Sequence, residues 1–506
     1  MVKLRSTATN GQGLGQAARS SILWGGGFTL LRDVAQFATM LVLVRLLTPE
    51  AYGSMALAQS IIGLVSVASF QTMASHALQL RDPADVDWQA HFTAGIVLNS
   101  ALYCLTLLVA WALYFSERYH GAAWPLAGLA TVLLVDTAGA LRIRMLETQH
   151  NWKRLRTLLT IGTSLGLVSG LIVALLGGGV WALVIQVPLF GLPAAIDLLW
   201  LGRWRPDGSW SWVRYRETAQ FGANRMGAAA VTRGRQTFEQ TVLAGVYDFA
   251  VLGVFTRTVG LATLIAGRIG SVAMMSLYPV VTRAEQRSPQ FQRMARLVLQ
   301  GVCWTTIPAA VLLALCAEDI VALLYGPKWL AVIPLLPLAV AGVALAGIAS
   351  TLSSLLLAGN EIKTSLQIDL VSACIAVVLA LWLVPVGIEV YLAALAGHGL
   401  FVVLLTLAAL VAKSGIALAA IRPAFLPAVV AGAGAVLAVE GLRLINAGGS
   451  VLVLRLATEV FAFALVYIAI MRIGFSGAMR KLLEVVPGGE RLMKMFSLSH
   501  NSTADK

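Results

Sequence analysis

The chain has 506 residues, of which 58% are hydrophobic and 12% charged, and its mean hydropathy is +0.81. An ordinary soluble chain is about 25% charged, so this composition excludes a water-soluble enzyme, a disordered tail and a disulfide-rich secreted domain. The net charge of +13 would suggest nucleic acid in a soluble protein. In a chain this apolar it asks instead which side of a membrane holds the basic residues, and no nucleic-acid partner is expected.

Residues 1–21 are polar, carry Lys3, Arg5 and Arg19, and read as a cytoplasmic segment. The apolar run that follows is longer than a signal-peptide core, is interrupted by Arg32 and Asp33, and has no small-residue cleavage site after it. It therefore reads as a retained first span. Spans are expected at 22–44, 52–74, 92–115, 124–145, 155–176 and 180–201, then, after a polar, Trp-bearing stretch, at 219–246, 251–280, 294–317, 329–358, 364–384, 388–411, 423–439 and 451–471. At about 21 residues per span this is an all-α polytopic membrane protein of about 14 transmembrane helices. Cys104, Cys303, Cys316 and Cys374 all lie in apolar runs and read as unpaired packing residues. No Cys/His spacing suits a metal.

With the amino terminus placed in the cytoplasm, 26 of the 37 Lys and Arg residues fall in cytoplasmic segments, seven within spans, and only Arg45, Arg118, Lys328 and Arg443 on the other side. That asymmetry puts both termini inside. The outward connections are too short to fold into a catalytic domain, so no catalytic residue is expected.

A weak internal repeat runs at an offset of 200 residues. Ala51-Tyr52-Gly53-Ser54-Met55 answers Val251-Leu252-Gly253-Val254-Phe255, Gln36 falls opposite Gln236, and Asp33 opposite Arg233. The offset equals six spans, so the copies would share orientation, as in transporters built from parallel repeats with the substrate between them. The expected organisation is an N-lobe of spans one to six (22–201), a basic amphipathic cytoplasmic linker (202–218), a C-lobe of spans seven to twelve (219–411), spans thirteen and fourteen (412–472), and a cytoplasmic basic tail (473–506).

A charge in mid-membrane is costly and needs a reason. Arg32 shares a helical face with Thr29, Gln36 and Thr39; being adjacent, Arg32 and Asp33 would each need a partner on a different helix. The seventh span carries Arg225, Arg233, Arg235 and Glu239, with Arg235 and Glu239 four apart and able to pair. The eighth carries Arg257 and Arg268. One reading is a water-filled central cavity whose arginines (Arg32, Arg233, Arg235, Arg257 and Arg268) attract an anionic group, since guanidinium forks fit phosphate oxygens. The other is interhelical salt bridges and snorkelling. Asp136, Glu239 and Asp369 either bind a coupling proton or sodium ion or neutralise an arginine; no other cofactor is expected. His398 reads as a packed, hydrogen-bonded residue. Two stretches suit a lipid interface: Trp204, Trp210, Trp212 and Tyr215 among arginines, and Leu482, Leu483, Leu492, Met493 and Phe496 beside Lys481, Arg491 and Lys494.

Four motifs carry a resemblance: Val44-Arg45-Leu46-Leu47-Thr48-Pro49-Glu50-Ala51-Tyr52-Gly53; Phe238 to Arg257, with Leu243-Ala244-Gly245 and Leu252-Gly253-Val254-Phe255; Tyr278-Pro279-Val280; and Leu324-Tyr325-Gly326-Pro327-Lys328-Trp329. Together they resemble the Wzx-type flippases, the polysaccharide-transporter branch of the multidrug/oligosaccharidyl-lipid/polysaccharide exporter superfamily. The chain departs from that pattern at Glu239, where the family often has aspartate. The resemblance implies two six-helix lobes around a central cavity plus two extra helices. It also implies a bacterial inner-membrane protein that moves undecaprenyl-pyrophosphate-linked oligosaccharide for exopolysaccharide or O-antigen (lipopolysaccharide) assembly, the arginines holding the pyrophosphate. Membrane lipids, a polysaccharide polymerase and a chain-length regulator are the implied partners. The rivals are a cation-coupled multidrug antiporter of the same superfamily, which favours an acidic cavity, and an integral-membrane polysaccharide polymerase or acyltransferase. The latter needs a catalytic outer loop or a membrane-facing His/Asp pair, and the sequence shows neither.

Overall fold

The computed structural model describes residues 32–69, 86–202, 204–208, 212–264, 288–414, 421–445 and 451–484, and every regular element among them is helical. In chain order these are α1 (32–46), α2 (Pro49–Val67), α3 (Trp88–Tyr114), α4 (Ala123–Thr148), α5 (Trp152–Leu175), α6 (Trp181–Leu201), α7 (Trp212–Val246) and α8 (Phe249–Ala262). Then come α9 (Pro289–Leu315), α10 (Ala317–Leu324), α11 (Val332–Ala358), α12 (Ile362–Leu383), α13 (Ile388–Ser414), α14 (Arg422–Leu444), α15 (Leu452–Gly474) and α16 (Ser476–Leu483). Ten described helices, α3 to α6, α9 and α11 to α15, are long and apolar enough to cross a membrane. They coincide with ten of the expected spans. Helix also occupies at least part of the other four, in α1, α2, α7 and α8, without meeting that standard in the described residues. Large apolar side chains such as Val97, Leu108, Trp111, Leu437 and Phe461 stay exposed on the spans, at no cost where lipid tails are as apolar as leucine.

Helix starts follow from local chemistry. Thr48, Asp87, Asn151, Asp248 and Ser288 each accept a hydrogen bond from the backbone N–H three residues on. Pro49 and Pro289 follow the cap directly, where a missing N–H is harmless. Two of these caps, Thr48 and Asp248, are 200 residues apart, at the spacing of the sequence repeat. So are Gly53 and Gly253, which meet across the crossing of α2 with the first turn of α8. A Cβ added to Gly53 would overlap the Phe249 carbonyl oxygen, and one added to Gly253 would overlap that of Pro49. The two α-hairpins therefore use equivalent residues in reciprocal contact.

Two expectations need correction. Residues 212–218, expected in the linker, form the start of α7, a 35-residue helix about 52 Å long at 1.5 Å per residue. No proline interrupts residues 212–246, so the helix extends before the apolar stretch. Trp204, expected at the lipid interface, instead packs edge-on against Phe92, with ring centroids 5.2 Å apart. Its segment is strapped to α3 by Gln89, whose side chain donates to the Arg205 carbonyl at 2.9 Å and accepts from the Asp207 N–H at 3.1 Å. Leu482, one of the expected interface residues, packs with Met479 of α16 against the core of the second unit, and Gln300 donates to the Ala478 carbonyl. Residues 1–21 and 485–506, with Leu492, Met493 and Phe496, lie outside the described residues.

The chain divides into two compact units, Met1–Gly253 and Val254–Lys506. In the first, α2, α3, α4 and α6 share a core around Met55, Leu126, Leu129 and Val184. Asn99, fully buried on α3, donates to the Leu133 carbonyl and Thr137 Oγ1 of α4, both at 3.0 Å. On α5, Gly162, Gly166 and Gly170 recur every four residues and bring its backbone against α6, the small-residue packing of helices in lipid. In the second unit α9, α11, α13, α14 and α15 enclose Phe291, Val302, Leu352, Leu410 and Ala428.

Candidate substrate site

What each candidate arginine touches decides what it can do, because a guanidinium within a bilayer needs a partner or water. Arg32, half-buried on α1, has Nη2 3.6 Å from Asp33 Oδ1. The long Arg32 side chain thus reaches its neighbour's carboxylate, a contact that adjacency in sequence did not suggest. Arg233 is exposed on α7 and donates from Nη1 to Gln236 Oε1 at 3.2 Å; that acceptor is neutral, and among the described residues no carboxylate forms an ion pair with Arg233. Arg235 lies 3.8 Å from Glu239 one turn on, the pair its spacing implies, though at that distance and exposure the coupling is weak. Arg257 is half-buried on α8, and its backbone carbonyl accepts from the Tyr325 hydroxyl at 3.3 Å. Burial pushes the Tyr325 phenol up to about 12, which keeps it protonated as a donor. Arg268 lies outside the described residues. Arg32, Arg233 and Arg235 belong to the first unit and Arg257 to the second.

The carboxylates differ from one another. Glu239 stands beside Arg235. Asp136 is half-buried on α4 against α6, so close that a Cβ on Gly191 would lie 3.2 Å from its Oδ1. Asp369 is exposed on α12. His398 Nε2 is 3.2 Å from Ser372 Oγ, an interhelical hydrogen bond of ordinary packing. Among the described residues no cluster of His, Cys, Asp and Glu could hold a metal ion.

The strongest electrostatics lie elsewhere. Asp197, at the start of the π-helical last turn of α6 and 3% exposed in its side chain, bridges two arginines. It accepts from Arg142 Nε on α4 at 2.6 Å and from Arg154 Nη2 and Nε on α5 at 2.7 and 3.1 Å. In the second unit Arg443 of α14 makes a bidentate pair with Glu459 of α15, both bonds 2.9 Å, and also reaches Glu440 and the Leu315 carbonyl that ends α9. Cys316 Sγ donates to the same Glu459. Arg455 of α15 pairs with Asp319 of α10. Sequence reasoning overlooked both networks; the available signal was a single acid at the end of an apolar span within reach of a basic turn.

Arg443→Met should lower stability by about 1–3 kcal/mol, because it leaves the buried Glu459 carboxylate without its forked partner. Adding Glu459→Met should restore most of the loss, since removing both charges also removes their desolvation. Thermal unfolding of the purified variants in detergent measures both, and equal losses in the single and double variants would contradict the argument.

A family model described as polysaccharide biosynthesis protein matches residues 42–334. The succinoglycan biosynthesis transport protein ExoT of Rhizobium meliloti (strain 1021) is 22% identical over 310 residues, 60% of this chain and 61% of ExoT. The match thus spans about three fifths of that relative. An uncharacterized membrane protein in the cps region of Klebsiella pneumoniae is 18% identical over 358 residues, 70% of this chain and 74% of its own length. Among solved structures, the lipid II flippase MurJ in an inward closed conformation aligns with a TM-score of 0.66 at 13% identity, covering 88% of this chain and 99% of MurJ. An inward-facing multidrug resistance MATE family transporter of the MOP superfamily aligns with a TM-score of 0.56 at 14% identity, covering 76% and 96%. At those identities the likeness is one of fold.

Proposed function

The chain belongs to the polysaccharide biosynthesis protein family, and from that premise we propose that it is a flippase: it carries undecaprenyl-pyrophosphate-linked oligosaccharide across the bacterial inner membrane by alternating access. It is a multi-pass membrane protein, and the fold it shares with MurJ and the MATE transporter is that of transporters. The succinoglycan transport protein supports a polysaccharide substrate. The observation that carries the reading for this chain is Arg233, an arginine of the expected seventh span that is exposed on α7 and hydrogen-bonded to a neutral glutamine. Such a guanidinium can take a phosphate oxygen without first breaking an ion pair. Arg32, Arg235, Arg257 and Arg268 complete the proposed anion-binding set. Asp136 and Asp369 are the proposed carboxylates for proton or sodium coupling. Both termini face the cytoplasm, and polymerase and chain-length regulator act downstream.

A strain lacking the gene should accumulate lipid-linked repeat units on the cytoplasmic leaflet. A polymerase defect would trap them on the outer one, so the location of the units tests the reading. Arg233→Ala should lower export at least about tenfold with normal protein in the membrane, the effect of losing one charged contact, while Arg233→Lys keeps part of it. Units trapped outside, or undiminished export by Arg233→Ala, would remove the flippase claim or the site claim respectively.

A further inference from the structure

Within the second unit, the ends of α9, α10, α14 and α15 enclose a cavity of about 270 Å³. It lies at the end that the loop charges assign to the outside of the bilayer. Three carboxylates line it, Glu318, Asp319 and Glu459, against two guanidinium groups, Arg443 and Arg455. Two of the acids are already engaged. Glu459 takes the fork of Arg443, and Asp319 takes Nε and Nη2 of Arg455. Glu318 is left over: it is exposed at the start of α10 and makes no ion pair or hydrogen bond among the described residues. Arg455 is 43% exposed in its side chain, and its pair with Asp319 leaves Nη1 uncommitted. Because Glu318 adjoins Asp319 in the chain, the rim presents a free carboxylate close to a free guanidinium edge.

We propose that this cavity holds the headgroup of a resident membrane phospholipid bearing a primary amine, with Glu318 taking the ammonium and Arg455 the phosphate. A short linker joins the two charges of such a headgroup, as the rim requires. An ammonium brings three donors to a carboxylate, and a guanidinium edge fits phosphate oxygens. The volume falls below the roughly 300 Å³ at which drug-sized sites begin, so it admits a headgroup and leaves the acyl chains outside. Those chains have a surface to lie on: Leu444 and Ile445 at the end of α14, and Val453 and Leu454 at the start of α15, are exposed apolar residues directly beside Arg443 and Arg455 in the chain. A purely anionic headgroup is disfavoured, because it would meet Glu318 with no cation to offer. Once seated, the zwitterion would bridge α10 to α15 and reinforce the Asp319–Arg455 pair. This lipid stays with the protein and is distinct from anything the protein carries.

The test offers the full-length protein, purified in detergent, equal amounts of phosphatidylethanolamine and phosphatidylglycerol, and counts the bound lipid of each kind by native mass spectrometry. Phosphatidylethanolamine should be retained about fivefold over phosphatidylglycerol, the worth of one partly exposed ion pair. Glu318→Gln breaks no bond seen among the described residues, so it should fold normally and abolish the preference. Glu318→Lys should turn the preference toward phosphatidylglycerol. Glu389→Gln removes an exposed acid at the start of α13 and should leave the preference as it was. Soluble phosphoethanolamine should displace the bound lipid poorly, since it lacks the chains that lie on α14 and α15. Equal retention of the two lipids by the parent, or a preference that survives Glu318→Gln, would overturn the proposal. Displacement by phosphoethanolamine as effective as by the lipid would overturn the membrane source of the ligand. If Glu318→Lys does not reach the membrane, Glu318→Gln decides alone. Lipid retention needs no transported substrate, so this result is separate from the location of lipid-linked units that tests the flippase reading.

Discussion

Asp197→Ala should cost about 3 kcal/mol of stability, the loss expected when one member of a buried ion pair is removed. The carboxylate ties α4, α5 and α6 together through Arg142 and Arg154. Arg142 is 13% exposed in its side chain and would be stranded, whereas Arg154, at 44%, can turn to water. The two arms should therefore be unequal: Arg154→Ala should cost less than about 1 kcal/mol, as for a largely exposed pair. Asp197→Leu combined with Arg142→Met should recover much of the loss, because both desolvated charges leave together. Thermal unfolding in one detergent, with the four proteins side by side, gives the order. An Asp197→Ala protein as stable as the parent would show that the bridge contributes nothing.

Gly162→Leu should be as damaging by a different route. A Cβ on Gly162 would overlap the Phe190 carbonyl oxygen of α6, and the next glycine in the stripe, Gly166, already faces the Phe190 ring and the Gln186 carbonyl. Backbone cannot swing aside as a side-chain tip can, so the helices must separate, at a cost of about 3 kcal/mol or more. Gly227, on α7, has nothing within 4 Å of an added Cβ. Gly227→Ala should therefore be neutral or stabilise by about 0.5 kcal/mol through helix propensity. The fraction of each protein that stays monodisperse after heating separates the two. Equal behaviour would mean that α5 and α6 tolerate a wider spacing than their glycines impose.

Much of the fold is legible one segment at a time. Ten membrane-crossing helices coincide with apolar runs, and the proline-bearing starts at Thr48-Pro49 and Ser288-Pro289 are written in adjacent residues. The Arg235–Glu239 pair follows from helical spacing alone. The 200-residue repeat was faint as identity because only a few positions, Gly53 and Gly253 above all, are constrained by the contact they make. The candidate site was legible as a set of charges within spans, but not as a set of partners. Arg32 reaches its own neighbour, Arg233 a glutamine, and the best-formed ion pairs belong to Asp197 and Glu459, which drew no notice in one dimension.

The amino-acid sequence by itself determined the solvent, the helical character and the approximate length of each span, since composition and local periodicity respond directly to a bilayer. Only the tertiary structure decided which charges neutralise one another and which glycines admit a neighbouring backbone. Those outcomes depend on which helices abut and at what register, and a carboxylate 43 or 55 residues from its arginine leaves no local trace of the pairing.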